Sequence, residues 1–257
     1  MAAPVRLESG RPVARLVLDR PERRNALALD VMRAIIDALD DIAADAKVRV
    51  LVVEGVGPAF SAGHDLAEMV ETRKPAFYAE LFETCVELMQ RLHTIPQPVI
   101  AKVMGVATAA GCQLVAACDL AVASDDARFA TPGVNIGLFC STPMVPLSRA
   151  IGRKQALEML LTGEMIDAPT ALAWGLVNRV VPAAEIEAAV SELADPIVRA
   201  SASVVALGKR TFYAQEAVDE KNAYALACGV MVDNAQTDDA QEGMSAFLEK
   251  RPPVWPA

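Results

Sequence analysis

Between Val99 and Cys118 the sequence runs almost unbroken through apolar or small residues, with Lys102 and Gln113 as its main polar interruptions. A membrane span needs about 20 such residues. The internal punctuation argues otherwise. Val99-Ile100-Ala101-Lys102-Val103 is short and β-branched like a buried strand, Gly105 interrupts it, and Gly111 precedes a separate helix-like run of small residues. The segment reads as strand, turn and buried helix, and such a sequence needs a layered interior around it.

With 257 residues, of which 53% are apolar and 22% charged, the chain is long enough for a full core and too apolar for long disorder. At a rule of roughly 100–200 residues per domain it is one large domain or two small ones. The net charge is −9 and no stretch gathers Lys and Arg into a basic face, so nucleic acid is not an expected partner. Cys85, Cys112, Cys118, Cys140 and Cys228 are odd in number and sit mostly in apolar runs, which fits free buried thiols in a reducing compartment. No Cys-x-x-Cys occurs, and His64 and His93 have no second ligand at metal spacing, so no metal site is expected. The opening Met1-Ala2-Ala3-Pro4-Val5-Arg6 reaches proline and charge before an apolar stretch can form. That reading expects no signal peptide and a cytoplasmic protein.

Along the chain, Val13 to Leu18 reads as a strand closed by Asp19-Arg20-Pro21, and Asn25 to Ala43 as an amphipathic helix. Val48 to Val53 is a second strand, Phe77 to Leu92 a helix, Val99 to Val103 a strand, and Asp119 to Ala123 another. Alternating strands and helices predict an α/β fold. Helical spacing then dominates, through Met144–Ile151, Arg153–Leu161, Ala168–Gly175 and a series from Ala183 to Leu248, with Gly163 and Gly175 as helix stops. A boundary near Val181-Pro182 divides an α/β core, 1–181, from a C-terminal helical region, 182–257, which is expected to pack on the core or on a neighbouring subunit.

Two segments place glycine and small residues where a strand ends and a helix can begin: Ser61-Ala62-Gly63-His64-Asp65 and Thr108-Ala109-Ala110-Gly111-Cys112. Free N–H groups from two such turns, aimed at one point, would make an oxyanion hole for charge developing on a carbonyl oxygen. Tight packing of one element on another explains the same residues equally well.

Longer motifs extend this pattern. Pro21-Glu22-Arg23-Arg24-Asn25-Ala26-Leu27, then Phe60 through Met69, then Gly105 through Asp119, resemble in order the crotonase superfamily of enoyl-CoA hydratases and isomerases. The resemblance continues through Ala127-Arg128-Phe129, Ile151 to Gly163, Ala171 to Pro182 and the ending Phe247 to Trp255, and so covers nearly the whole chain. The stretch Phe129 to Pro143 is most like one poorly defined branch of that superfamily.

The resemblance implies a spiral of repeated strand-strand-helix units with a C-terminal helical region that helps build homotrimers or hexamers, and an acyl-CoA thioester as ligand. No separate cofactor is implied, because coenzyme A is part of the substrate. Carried over by position, the oxyanion donors are the N–H groups of His64 and Ala110. Arg23 and Arg24 fall beside the CoA phosphates, and the backbone near Ala26, Ala62 and Leu66 meets adenine and pantetheine. Asp65 and Gly111 lie in the same binding segments, and Lys250, with Arg251, is placed to reach a CoA phosphate of an adjacent subunit.

The chain departs from the superfamily at the acid/base positions. Hydration of an enoyl thioester needs two carboxylates, one to activate water and one to exchange the α-proton. Those positions hold Gln113 and Gly133, and Gly133 is also where the isomerases place their base. Glutamine can hold a water but cannot accept its proton. Ser141, where some members place an aspartate, is no strong base. Compensating carboxylates would have to come from Asp65, Glu68, Glu80, Glu83 or Glu87, and the His64 imidazole is a further candidate base. Cys140 has no neighbouring base to activate it, and His93 reads as structural. The expected function is therefore an acyl-CoA enzyme of the hydratase/isomerase family that stabilises a thioester enolate without efficient hydration. The alternatives are a non-catalytic acyl-CoA-binding protein and a decarboxylase or thioesterase of the same fold.

Overall fold

The computed structural model describes residues 3–255. Met1 and Ala2, on which the signal-peptide reading partly rests, lie outside the described residues. Among the described residues ten strands and eleven α-helices follow one another: β1 (Val5–Glu8), β2 (Val13–Leu18), α1 (Leu29–Ala44), β3 (Val50–Gly55), β4 (Ala59–Ser61), α2 (Leu66–Glu71), α3 (Pro75–Thr94), β5 (Val99–Val103), β6 (Val106–Thr108), α4 (Ala110–Ala117), β7 (Leu120–Ser124), β8 (Arg128–Ala130), α5 (Ser141–Ala150), α6 (Arg153–Thr162), β9 (Ile166–Asp167), α7 (Ala168–Trp174), β10 (Arg179–Val181), α8 (Ile186–Arg199), α9 (Ala202–Glu216), α10 (Glu220–Ala235) and α11 (Asp238–Glu249).

The strands form two sheets. A six-stranded sheet runs β1-β2-β3-β5-β7-β10, parallel except for the β1–β2 pair, and a four-stranded sheet runs β4-β6-β8-β9. Three times the chain leaves the large sheet, turns a corner of two or three residues, and enters the small one: β3 to β4, β5 to β6, β7 to β8. Gly105 makes the middle corner with φ +68, and a Cβ there would stand 2.2 Å from the Pro58 carbonyl oxygen, so only glycine fits. This repeated strand-strand-helix spiral is the predicted fold.

The large sheet is covered on both faces, which is why its central strands read as unbroken apolar runs. Leu51, Val53, Val99 and Ala101 pack into the main core with α1, α3 and α4, whereas Val50, Val52, Ile100 and Val122 pack against Ile186, Ala189, Val190 and Ala194 of α8. Lys102, the polar break in the β5 run, is buried but paired: its Nζ lies 2.5 Å from Glu54 and also contacts Glu187 of α8.

Several elements differ from their sequence reading. The first helix begins at Leu29, not Asn25, because Asn25 is spent on a turn: it is buried with φ +53, and its Nδ2 donates to the Val56 and Ala59 carbonyls at 3.0 and 2.7 Å. The strands of the small sheet are expected only through the strand-strand-helix units of the resemblance and carry no signal of their own. Its strands are two or three residues long, too short for a periodic signal. Gly163 and Gly175 do end helices in the left-handed conformation. Cys85, Cys112, Cys118 and Cys140 are buried, but Cys228 is exposed on α10. Among the described residues no helix is long and apolar enough to cross a membrane.

The C-terminal helices α9 and α10 bury none of their residues fully. One internal anchor holds α9: Lys209 Nζ pairs with Asp119 at 2.7 Å and donates to the Leu92 and Gln97 carbonyls, while the Tyr213 hydroxyl donates to Asp119 at 2.8 Å. His93 stacks on Tyr213 with ring centroids 3.9 Å apart, a structural place for that histidine.

Candidate active site

In the small sheet β4, β6 and β8 are parallel, so their C-terminal ends lie side by side. The chain leaves these ends as the Ala62-Gly63-His64 turn, the Ala109-Ala110 start of α4, and the Thr131-Pro132-Gly133 segment. Crevices at the carboxyl ends of parallel strands are a general place for ligands. Here a cavity of about 710 Å³ opens there.

The first two turns are built as one unit. Gly63 has φ +89, and a Cβ on it would stand 2.8 Å from Ala109 Cβ and 3.0 Å from the Ala110 nitrogen. Thr108 Oγ1 donates to the Ala62 carbonyl at 3.2 Å. Ala109 has φ +50 and ψ −120, a conformation alanine adopts at a cost of about 1–3 kcal/mol and one that clusters at functional sites. Beyond it, the Ala110 N–H begins α4 without an intrahelical acceptor. The His64 N–H is equally free: the bridge between Leu27 and His64 runs through the Leu27 N–H, which donates to the Gly63 carbonyl at 2.7 Å. Among the described residues neither nitrogen donates to a backbone carbonyl, and both residues line the cavity.

The Arg23–Leu27 segment is tied to the same turn. The Ala62 N–H donates to the Arg24 carbonyl at 3.0 Å, and Ser61 Oγ donates to the Asn25 carbonyl at 2.8 Å. Arg23, Ala26, Ala62, Asp65 and Leu66 therefore line the cavity together with His64, Ala110, Gly133 and Ser141. Arg24, Gly111, Gln113 and Lys250, assigned to the site from sequence, do not line it. Arg24 takes a left-handed turn conformation and points its exposed side chain elsewhere. Gly111 packs under the turn, where a Cβ would stand 2.1 Å from the Ser61 carbonyl oxygen. Gln113 is buried, and its Oε1 accepts a weak bond from the Cys85 thiol at 3.7 Å. Lys250 ends α11, and its neighbour Arg251 is taken up by Glu242 and Glu249.

The candidate replacement carboxylates are occupied or elsewhere. Asp65 caps α2 by accepting from the Ala67 N–H at 3.1 Å, and Glu68 accepts from the Leu29 N–H at 3.2 Å. Glu80 pairs with Arg33, and Glu83 and Glu87 line outer grooves along α3. The space at Gly133 is also closed: a Cβ there would stand 2.0 Å from the Leu138 carbonyl oxygen and 2.8 Å from Cys140 Sγ.

His64 packs edge-on against Phe82, and its Nδ1 lies 3.3 Å from the Leu27 carbonyl. A carbonyl only accepts, so Nδ1 carries the proton. Nε2 is buried with no hydrogen-bond partner, and burial lowers the affinity of the ring for a second proton. The imidazole is neutral at neutral pH and keeps its basic nitrogen away from solvent. Burial likewise raises the Cys140 thiol above its ordinary value. Among the described residues no group of three or more His, Cys, Asp or Glu side chains is arranged to hold a metal ion.

Asn25 and Phe82 were missed by sequence reasoning as contributors to the site. Asn25 carried a signal, an amide beside two arginines before a helix; Phe82 on α3 did not.

Comparison with known proteins agrees with this architecture. The model of the enoyl-CoA hydratase/isomerase family matches residues 8–257. Mitochondrial enoyl-CoA hydratase domain-containing protein 3 of Mus musculus is 50% identical over 243 residues, 95% of this chain and 81% of that protein. The crystal structure of the human protein of that name has a TM-score of 0.95 at 48% identity, covering 98% of this chain and 100% of the other. An enoyl-CoA hydratase from Mycobacterium smegmatis has a TM-score of 0.96 at 47% identity, covering 99% of each chain. The branch that Phe129–Pro143 resembles is that of domain-containing protein 3.

Proposed function

The chain belongs to the enoyl-CoA hydratase/isomerase family, and on that footing we propose that it is an acyl-CoA enzyme that stabilises a thioester enolate between the N–H groups of His64 and Ala110. The observation that carries this reading is the pair of N–H groups without backbone acceptors, on two interlocked turns, lining one cavity. A thioester oxygen accepting from both would gain charge-assisted bonds as the enolate forms, and loss of one such donor costs about 3–4 kcal/mol. Arg23 supplies the local cation for the CoA phosphates in a chain of net charge −9. Arg24 contributes its backbone, and Ala26, Ala62 and Leu66 flank adenine and pantetheine.

Efficient hydration is not part of this function. Gln113 has no basic oxygen and Gly133 has no side chain; of the carboxylates offered for compensation, Asp65 caps α2 at the cavity, Glu68 and Glu80 are engaged, and Glu83 and Glu87 lie outside the lining. Each missing acid or base function lowers a rate by about 10²–10⁴-fold. The test is a parallel measurement of butyryl-CoA binding by calorimetry and crotonyl-CoA hydration by ultraviolet absorbance. Thioester binding tighter than free CoA, with hydration absent, supports the reading; robust hydration lost in Ala110→Pro contradicts its second half.

A second reading, a non-catalytic acyl-CoA binder, is favoured by the same loss at Gln113 and Gly133, and binding without turnover across a thioester panel would establish it. The division into 1–181 and 182–257 belongs to the proposal, as does assembly into trimers or hexamers. Supporting assembly, α10 and α11 expose Tyr224, Met231, Phe247 and Leu248. Lys250 would reach a CoA phosphate only across such a subunit boundary. A cytoplasmic or other reducing location is supported by five free cysteines, although the mouse relative is named as mitochondrial.

A further inference from the structure

An enolate held by two N–H groups needs a partner for the proton that leaves carbon or returns to it. The polar lining of the cavity narrows the choice to one group. Among the described residues Arg23, Asn135, Ser141 and Thr142 offer a guanidinium, an amide and two hydroxyls, none of which takes up a proton near neutral pH. The basic nitrogen of His64 is buried without contact to solvent, and burial keeps the Cys140 thiol protonated. Asp65 is the one carboxylate in the lining. Glu68, three residues on, does not line the cavity and accepts from the Leu29 N–H.

Two features put Asp65 in place. It directly follows His64, so the carboxylate and the first N–H donor stand on residues about 3.8 Å apart at Cα. It also shares a face with Met69, one turn further along α2, and both line the cavity. The cap engages only one of its oxygens: Oδ1 accepts from the Ala67 N–H at 3.1 Å, whereas Oδ2 has no hydrogen-bond or ion-pair partner among the described residues. Capping therefore fixes the orientation of a half-buried carboxylate and leaves its second oxygen free.

We propose that Asp65 Oδ2 is the proton-transfer group of this cavity, taking an α-proton from a bound acyl-CoA thioester and returning one to it. The inference rests on the oxyanion hole proposed above and adds the side chain that works with it. The C–H bond at Cα breaks, and its electron pair forms the enolate, whose oxygen accepts from the His64 and Ala110 N–H groups. The proton passes to Oδ2. In the reverse step Oδ2 hands a proton back to carbon, so nothing is consumed.

One carboxylate carries this exchange by itself, whereas hydration needs a second group to activate water. A lining with Asp65 as its one carboxylate is thus matched to proton transfer at carbon and not to addition of water. The substrate it fits is a thioester with a hydrogen at Cα.

The experiment incubates the purified protein with butyryl-CoA in D₂O and reads deuterium at Cα by mass spectrometry, with butyryl-CoA binding by calorimetry in parallel. The unaltered protein is expected to exchange the α-protons well above the rate in buffer. Asp65→Asn should lower that exchange by about 10²–10⁴-fold while keeping Tm and butyryl-CoA binding, because asparagine caps a helix as well as aspartate does. If it does not fold, Asp65→Ser, which also caps, takes its place. Butyryl-CoA binding to the unaltered protein without exchange overturns the proton transfer and leaves the oxyanion hole standing. Exchange that persists in the folded variant gives Asp65 a purely structural part and also overturns it. Failure of the unaltered protein to bind butyryl-CoA overturns both.

Discussion

Gly111 rests on Ser61 so closely that a Cβ at position 111 would stand 2.1 Å from the Ser61 carbonyl oxygen. Gly63 is pressed in turn on Ala109 and Ala110, so the two turns that carry the His64 and Ala110 nitrogens meet at two glycine contacts. Gly111→Ala should therefore push the two turns apart. Overpacking of this kind costs about 1–3 kcal/mol, which for a chain of this size lowers Tm by about 2–4 °C per kcal/mol. Calorimetry should show butyryl-CoA binding reduced to that of free CoA. A variant that keeps both Tm and thioester binding would break the link between this contact and the site.

Restoring glutamates should not restore hydration. Gly133→Glu must displace the Leu138 carbonyl and Cys140, and Gln113→Glu places a carboxylate in a buried site whose side-chain partner is the Cys85 thiol. Burying an unpaired charge is costly enough that such a carboxyl instead holds its proton. The double variant is expected to melt lower than the unaltered protein and to leave crotonyl-CoA absorbance unchanged. Hydration gained in it would show that the Thr131–Ser141 segment yields more easily than its contacts imply.

Arg23 and Arg24 should separate cleanly. Arg23 lines the cavity and Arg24 does not. Hydrogen bonds to charged groups contribute about 1.5–3 kcal/mol, so Arg23→Gln is expected to weaken CoA-thioester binding by about tenfold or more. It should also flatten the salt dependence of that binding. Arg24→Gln should change either quantity far less. Equal losses in titrations of the two variants would remove the assignment of Arg23 to the phosphates.

Burial lowers the proton affinity of both histidines in the folded chain relative to the ordinary value of 6.5. Between that value and the lower folded one, the unfolded state binds more protons. Stability is thus intact above about pH 6.5 and falls as the pH is lowered through that window. Tm should decline from pH 7 toward pH 5.5, with a shallower decline in His64→Gln and a shallower one again with His93→Gln added. Parallel Tm curves for all three proteins would contradict the buried, neutral placement of the two rings.

Much of this is legible in the sequence. The Val99–Cys118 run was read as strand, turn and buried helix because Gly105 and Gly111 break it, and the structure places β5, β6 and α4 there. The family resemblance assigns Gln113 and Gly133 to the positions of two glutamates, and the proposed absence of efficient hydration rests on that assignment. The strained backbone at Ala109 could not be read from the sequence, since alanine carries no local preference for φ +50 and tertiary packing imposes it. The sealing of position 133 was hidden for the same reason. It depends on Leu138 folding back, with its N–H donating to the Gly133 carbonyl at 2.9 Å, and no periodicity records such a return. His64 is a possible base by its type; that its Nδ1 faces the Leu27 carbonyl and its Nε2 is buried without a partner shows only in the fold.

A crystal structure with butyryl-CoA bound tests the central claim most directly. The account predicts a thioester oxygen within about 3 Å of both the His64 and Ala110 nitrogens, with the acyl chain against Phe82 and Phe139. A thioester oxygen that meets only one of the two nitrogens, or neither, would contradict it.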